Sequence, residues 1–350
     1  MNERDVRDRL RAVDDPALGD DIVSLGLVNE VDVDGDQVTV DLGLGAPYSP
    51  AETAVAEEVR TTLADAGVAV ELSASVDRGA DGDVMPGVKN VIAVASGKGG
   101  VGKSTVAVNV AAGLADRGAR VGLFDADVYG PNVPRMLGAE EPPRATAEET
   151  LVPPERYGLK LMSMAFLVGE DDPVIWRGPM VHKIITQLWE DVEWGALDYM
   201  VIDLPPGTGD TQLTLLQSVP ITGAAIVTTP QPVAVDDARK GLEMFGTHDT
   251  PVLGVVENMS SFRCPDCGGE HDVFGSGGGR ALADEHQLPF LGSVPLDPSV
   301  RTGDEAGRPV VLDDDGEVGE VGERFRTLAA EIADNVGIVT RRAHAERVEA

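Results

Sequence analysis

The chain has 350 residues, 42% of them hydrophobic, which is enough to give two domains a core each and excludes a disordered tail. Acidic residues outnumber basic ones 60 to 28, for a formal charge of -32, so loose attachment to nucleic acid or to an anionic lipid surface is not expected. The basic side holds six lysines against 22 arginines, and 35 aspartates lead the acidic side. Such a surface suits a cytosol of concentrated salt, where screening over about 3 Å relieves self-repulsion. An ordinary acidic cytosolic protein is the alternative, since composition speaks to solubility and not to fold.

The opening MNERDVRDRL has no apolar segment, and no later run reaches the about 18 apolar residues of a membrane span. A cytoplasmic protein without a membrane partner is expected. Cys264 and Cys267 are the only cysteines, too few for a disulfide framework and spaced as a metal or redox pair.

Residues 1–76 read as a small α+β domain that starts with a polar helix. In VDVDGDQVTVDL, Val31 and Val33 alternate with polar residues, Asp34-Gly35 supplies a tight turn, and Val38, Val40 and Leu42 resume the alternation. A helix over 51–65 and a strand over 68–76 follow. Residues 77–89, DRGADGDVMPGVK, are rich in Gly, Asp and Pro and form the expected linker.

Residues 90–340 alternate short apolar runs with helical stretches, the rhythm of a doubly wound, mostly parallel α/β sheet. The runs are VIAVAS, RVGLFD, LKLMSMAF, YMVID, AAIVTT, PVLGVVEN and LPFLGSV, giving seven expected strands. Between Gly138 and Gly158 the chain is loaded with Pro and Glu, has no period, and reads as a surface loop.

SGKGGVGKST, Ser96 to Thr105, follows the first of these strands and fills G-x-x-x-x-G-K-[ST] with Gly97, Gly102, Lys103 and Ser104. Glycines let backbone amides curl around the phosphates of ATP, and the helix after the loop presents its positive end. Lys103 reaches the outer phosphates and Ser104 holds magnesium. Gly99, Gly100, Val101 and Thr105 complete the loop. Asp125, Asp127 and Asp203 fall at the carboxyl ends of strands, the edge where open α/β sheets bind ligands. Asp203 is read as the carboxylate that acts on magnesium through its water shell, with Asp125 as a second nucleotide-site residue or a loop anchor. The turn DLPPGTGD after Asp203 reads as a switch for the γ-phosphate.

Lys98 is an extra lysine in the loop, and KGGVGKS resembles the deviant Walker A motif of the MinD/ParA/nitrogenase-iron-protein class. The resemblance implies a nucleotide-sandwich homodimer in which Lys98 crosses to the partner's nucleotide. It also implies that Asp127 of DADVYGPN orients the attacking water, and that Asn258 and Pro295 frame adenine; a plain strand-end turn is the other reading of Asn258. Two thiolates per chain do not complete a four-thiolate metal or cluster site, but a dimer supplies four.

VIAVASGKGGVGKST, FDADVYGPN, IWRGPM, DYMVIDLPPGTGD, VTTPQPVAVDDARKG and ENMS, followed by CPDC and HDVFGSGGG, together resemble the Mrp/ApbC family of iron-sulfur cluster carrier ATPases over residues 86–336. That implies slow ATP hydrolysis coupled to holding a labile cluster, a 4Fe-4S group on Cys264 and Cys267 of both subunits, and passing it to apoproteins. The first domain is similar to the small iron-sulfur-assembly domain this family carries, which often has a Cys where Ser49 stands here before Pro50, so a thiol role for it is in doubt. Zinc on the same four thiols, or a single-chain site with His271, remains an alternative. So does a positioning or partitioning ATPase without a cluster, although the tail TRRAHAERVEA lacks the apolar face of a membrane-binding helix. The glycines of VFGSGGG either cradle an anion or allow a tight turn, and WRGPM (176–180) is read as shaping the interface.

Overall fold

The computed structural model describes residues 1–76, 87–139, 141–147, 150–167, 184, 188, 191–312 and 318–349. The chain divides into two compact units, Met1–Asp83 with Ala333–Ala350, and Val84–Ile332. WRGPM and residues 77–86 of the expected linker lie outside the described residues.

In the first unit, α1 (Glu3–Leu10) opens on a capping box: Asn2 Oδ1 accepts from the Asp5 amide at 3.0 Å, and the Asp5 carboxylate accepts from the Asn2 amide at 3.1 Å. β1 (Val28–Asp34) and β2 (Gln37–Leu42) form the antiparallel hairpin. Asp34 pairs with Gln37, so the turn is Gly35-Asp36, one residue later than expected, with Gly35 at φ 63°. α2 (Pro50–Ala64) has Ser49 as N-cap and Pro50 in its first turn, and β3 (Ala69–Ala74) pairs parallel with β2. Val38, Val40, Val55, Val59 and Leu63 bury the helix against the sheet with Val6 and Leu10 of α1.

The second unit runs β4 (Val88–Ala95), α3 (Lys103–Asp116), β5 (Val121–Asp125), α4 (Val133–Met136), β6 (Leu159–Ser163), β7 (Leu197–Asp203), α5 (Asp210–Ser218), β8 (Gly223–Thr228), α6 (Pro232–Thr247) and β9 (Val252–Arg263). It continues through β10 (Glu270–His271), α7 (Gly278–Glu285), β11 (Phe290–Leu296), α8 (Pro298–Ala306) and α9 (Glu320–Glu349). All seven expected strands are present, parallel, in the order β6-β5-β7-β4-β8-β9-β11. Every residue of β5, β7 and β8 is buried, which is why these strands read as apolar runs rather than as alternation. The phosphate-loop strand β4 lies in the middle, between β7 and β8.

Two expectations need correction. The stretch from Gly138 to Gly158 is not bare loop: Arg144–Ala145 pairs with Leu151–Val152, and Glu155–Arg156 pairs antiparallel with β6. Ladders of two residues are too short to leave a period in the sequence. The run LKLMSMAF is strand only to Ser163, and Met164–Leu167 turns into a 3-10 helix.

The C-terminal tail is the end of α9, and residues from Ala333 onward cluster with the first unit instead of the second. Arg341 is fully buried there, with Nε donating to Asp15 Oδ2 at 2.6 Å and Nη1 to Glu52 Oε1 at 2.7 Å. Glu52 also accepts from the Gly45 and Ala46 amides, and burial pushes its carboxyl above the ordinary range despite the guanidinium. Ser49 donates to Asp334 Oδ1 at 2.5 Å, and His344 Nε2 meets Asn29 Oδ1 at 2.8 Å. Among the described residues no helix is long and apolar enough to cross a membrane.

Candidate nucleotide and thiol sites

The loop between β4 and α3 is shaped by close approach of backbone. A Cβ on Gly97 would stand 2.1 Å from the carbonyl carbon and oxygen of Asp237, at a place only glycine fills. Gly102 caps α3 in the left-handed region at φ 82°, so the unpaired amides of the first helical turn face the loop. Gly99 and Gly100 are exposed, Val101 is buried beneath them, and Ser104 and Thr105 are half-buried in the first turn. Lys98 is half-buried, and among the described residues its ammonium has neither hydrogen bond nor ion pair.

Lys103 is buried and points across the loop to β7, where its ammonium meets Asp203 Oδ1 at 2.5 Å. The second oxygen of Asp203 is buried with no hydrogen-bond partner among the described residues. Burial pushes Asp203 above the ordinary carboxylate range, against the pull of the Lys103 ammonium. In the sheet Asp203 stands opposite Asp125, and Asp125 opposite Ser163, so the three side chains form one row at the carboxyl edge of β7, β5 and β6. Burial, and next the charge of Asp203, push Asp125 up to about 8.

Asp125 is a loop anchor. Its Oδ2 accepts from Ser163 Oγ at 2.9 Å and from the Val133 amide at 3.2 Å, and its Oδ1 accepts from the Asp127 amide at 3.3 Å. Asp127 in turn accepts on Oδ1 from the amides of Tyr129 and Gly130, which fixes the orientation of its carboxylate. Ser163 escaped the sequence reading, although a hydroxyl closing the strand Leu159–Ser163 was the available signal.

Asn258 lies inside β9 rather than at its end, since the strand continues to Arg263. Its amide nitrogen donates to the Val101 carbonyl at 2.9 Å and its carbonyl accepts from the Met259 amide. Pro295 is half-buried within β11 and not in a following loop. The anion cradled by VFGSGGG belongs to the chain itself: Glu257, 3% exposed, accepts from Gly277 at 3.1 Å and from Gly279 at 2.6 Å at the start of α7. A charged residue in the buried run VLGVVEN was the signal for it.

Cys264 and Cys267 sit at the tip of a β-hairpin. β9 and β10 pair Phe262 with His271 and Arg263 with Glu270, and the turn closes with Cys264 N to Gly269 O and Gly268 N to Cys264 O, both 2.9 Å. The amides of Cys267 and Asp266, and then the Cys267 thiol, hold Cys264 below the usual thiol range. Cys267 is exposed. Among the described residues no three His, Cys, Asp or Glu side chains converge as a metal site, although Cys267 Sγ and His271 Nε2 both lie within 3.5 Å of where a Cβ on Gly269 would stand.

Residues 87–333 match the family described as NUBPL iron-transfer P-loop NTPase, and residues 3–73 match the one described as iron-sulfur cluster assembly protein. A Deinococcus radiodurans protein named iron-sulfur cluster carrier protein is 47% identical over 346 residues, covering 97% of each chain. A Synechocystis protein of the same name is 48% identical over 87% of this chain and 89% of its own. Among solved structures, a nucleotide-binding protein from Archaeoglobus fulgidus in complex with ADP superposes with a TM-score of 0.58 at 38% identity, covering 66% of this chain and 93% of that one. The cell division ATPase MinD of Pyrococcus furiosus shares the fold, with a TM-score of 0.52 at 24% identity over 70% of this chain and 98% of its own.

Proposed function

The chain belongs to the NUBPL iron-transfer P-loop NTPase family, and from that premise we propose that it is an ATP-hydrolysing iron-sulfur cluster carrier. It works as a homodimer in the cytoplasm and delivers its cluster to apoproteins. The observation that carries this reading is the placement of both thiols at the exposed tip of a hairpin that continues β9, the strand whose Asn258 holds the phosphate loop. One chain offers two thiolates, and a second copy across a twofold axis completes the four that a 4Fe-4S cargo takes.

The amides from Gly97 to Thr105 and the N-terminus of α3 bind the phosphates of ATP, with Lys103 exchanging Asp203 for the outer phosphate oxygens. Magnesium fits the residues present: the Ser104 hydroxyl would hold it directly, and the second oxygen of Asp203, without a partner among the described residues, would hold it through its water shell. When bound it neutralises charge on the phosphates. In hydrolysis the water oxygen bonds to the γ-phosphorus, the bond to the ADP bridging oxygen breaks, and the water proton passes to phosphate. Asp127, held by its loop amides, orients that water, and Asp125 with Ser163 holds the loop. Lys98 supplies its ammonium to the nucleotide of the other subunit, stabilising the charge that develops on transfer.

Anaerobic reconstitution with iron and sulfide tests the proposal. About one four-iron cluster per dimer is expected, lost in Cys264→Ala and in Cys267→Ala while ATP binding persists. Tight stoichiometric zinc with no iron uptake, or a cluster that survives Cys264→Ala, would overturn it.

A further inference from the structure

Lys98 stands in the most permissive stretch of the phosphate loop, between Gly97 and the pair Gly99-Gly100. Glycine restricts neither flanking peptide sterically, and Gly100 already uses the left-handed region at φ 82°. Among the described residues the ammonium of Lys98 makes neither hydrogen bond nor ion pair, so the side chain does not anchor itself. Its direction is set by its backbone, and that backbone is held from one side: the Lys98 carbonyl accepts from the Ser96 hydroxyl at 3.0 Å.

Ser96 is itself a fixed point. It is the first residue beyond β4, it is 2% exposed, and its carbonyl accepts from the Gly207 amide at 2.9 Å. Gly207 belongs to the turn after Asp203, which is clasped in two further places. Leu204 N donates to Val94 O at 3.1 Å, and the side-chain nitrogen of Gln212, at the start of α5, donates to the Pro205 carbonyl. Gly97, between Ser96 and Lys98, is wedged against the backbone of Asp237. The hydroxyl of Ser96 thus carries the position of the sheet edge and of the turn to a peptide that its glycine neighbours leave free.

We propose that Ser96 is the positioning residue of Lys98, its hydroxyl setting the backbone from which the ammonium reaches the nucleotide of the other subunit. The inference rests on the role of Lys98 across the dimer proposed above. Without the hydroxyl the Lys98 peptide has more conformations open to it, and the ammonium is less often where charge develops during transfer. A residue buried beside its own chain's phosphate loop therefore serves the site of the other chain. That direction is the distinctive consequence, because a serine that only shaped its own loop would serve its own site.

The test uses the full chain and steady-state turnover of magnesium-ATP. Ser96→Ala, which removes one oxygen and leaves the backbone bond to Gly207 in place, is assayed alone and mixed in equal amounts with Lys103→Ala or with Lys98→Ala at fixed total protein. Alone it is expected to lose about tenfold in kcat, the worth of one net hydrogen bond. Mixed with Lys103→Ala it should rise to about a quarter of natural turnover, because about half of randomly assorted dimers then hold one site with an intact Lys103 and a Lys98 presented by an intact Ser96. Mixed with Lys98→Ala it should fall below Ser96→Ala alone, since every remaining Lys98 is offered from a loop without the hydroxyl. Natural turnover in Ser96→Ala overturns the inference. So does the reverse pattern, recovery with Lys98→Ala and none with Lys103→Ala, which places Ser96 in its own chain's site. Recovery with neither partner marks a structural defect and overturns it too. Failure of Lys98→Ala and Lys103→Ala to restore each other would instead sink the reading of Lys98 on which the inference stands.

Discussion

Asp125 and Asp203 face each other in register on adjacent parallel strands, two buried carboxylates with one ammonium, Lys103, between their row and the phosphate loop. Burial and the charge of Asp203 hold Asp125 up to about 8, which favours its protonated form in the folded protein at neutral pH. An unfolded aspartate titrates near about 3.9, so between that pH and about 8 the native state binds more protons at this position than the unfolded one. The contribution of Asp125 to stability therefore falls as pH rises through this window and is constant above it. Asp125→Asn keeps the shape without the ionisation. Its thermal midpoint, compared with that of the natural protein from about pH 5 to about pH 8, should decline less steeply. Parallel curves would show that Asp125 is ionised throughout.

Ser49 has a structural job in place of the thiol often found there. Its hydroxyl caps α2 by accepting from the Glu52 amide and donates to Asp334 of α9. Ser49→Ala removes both contacts, and the first unit should lose about 1–3 kcal/mol in chemical denaturation while the ATPase rate is unchanged. An ATPase defect as large as the stability loss would mean that Ser49 serves the nucleotide site.

Arg341 poses the same question more sharply, because it is 1% exposed and answers two carboxylates, Asp15 and Glu52. Removing one partner of a buried ion pair leaves uncompensated charge, so Arg341→Ala should cost about 3–5 kcal/mol, read as early melting of the first unit. Arg341→Met, which fills the volume, should cost about as much if the carboxylates keep their charge, and less if they take up protons on acidification. A melting curve for Arg341→Ala that matches the natural one at neutral pH would contradict the network.

What the sequence made legible, and what it hid, follows from the distance between partners. The phosphate loop, the seven strands and the aspartates at their ends carry their signal within a few residues, as a glycine pattern or an apolar run bounded by turns. Ser49 with Asp334, and Arg341 with Asp15, join positions about three hundred residues apart, and no period announces them. The glycines at 275–279 were readable as an anion cradle, but the anion is Glu257 of a neighbouring strand, a pairing only the folded sheet supplies. The cysteine pair was legible from its spacing as a candidate metal or redox pair. Its position at a hairpin tip was not, because β10 is two residues long.

The charge of -32 predicts a strong dependence on salt. Self-repulsion among exposed carboxylates is screened over about 3 Å in molar salt, against about 10 Å in dilute buffer. The thermal midpoint in molar potassium chloride should exceed that in dilute buffer by roughly 10 °C, a gain of a few kcal/mol for a chain of this size. Equal midpoints in the two buffers would remove the case for a high-salt cytosol.

The lysines of the phosphate loop separate binding within a subunit from action across a dimer. Lys103 is buried on its own chain's Asp203, whereas Lys98 is half-buried with no ion pair among the described residues. Lys103→Ala should abolish hydrolysis by removing a charge contact to the phosphates of its own nucleotide. Lys98→Ala should bind ATP nearly as the natural protein does and still lose turnover if, as proposed, its ammonium serves the other subunit's nucleotide. Mixing the two variants then decides the matter. A mixed dimer holds one site in which the nucleotide is bound by an intact Lys103 and faces the intact Lys98 of its neighbour. That site should recover about a quarter to a half of natural turnover, depending on how many mixed dimers form and how far the sites act as a unit. Loss of ATP binding by monomeric Lys98→Ala would place Lys98 in its own chain's site. A mixture no more active than either variant alone would do the same.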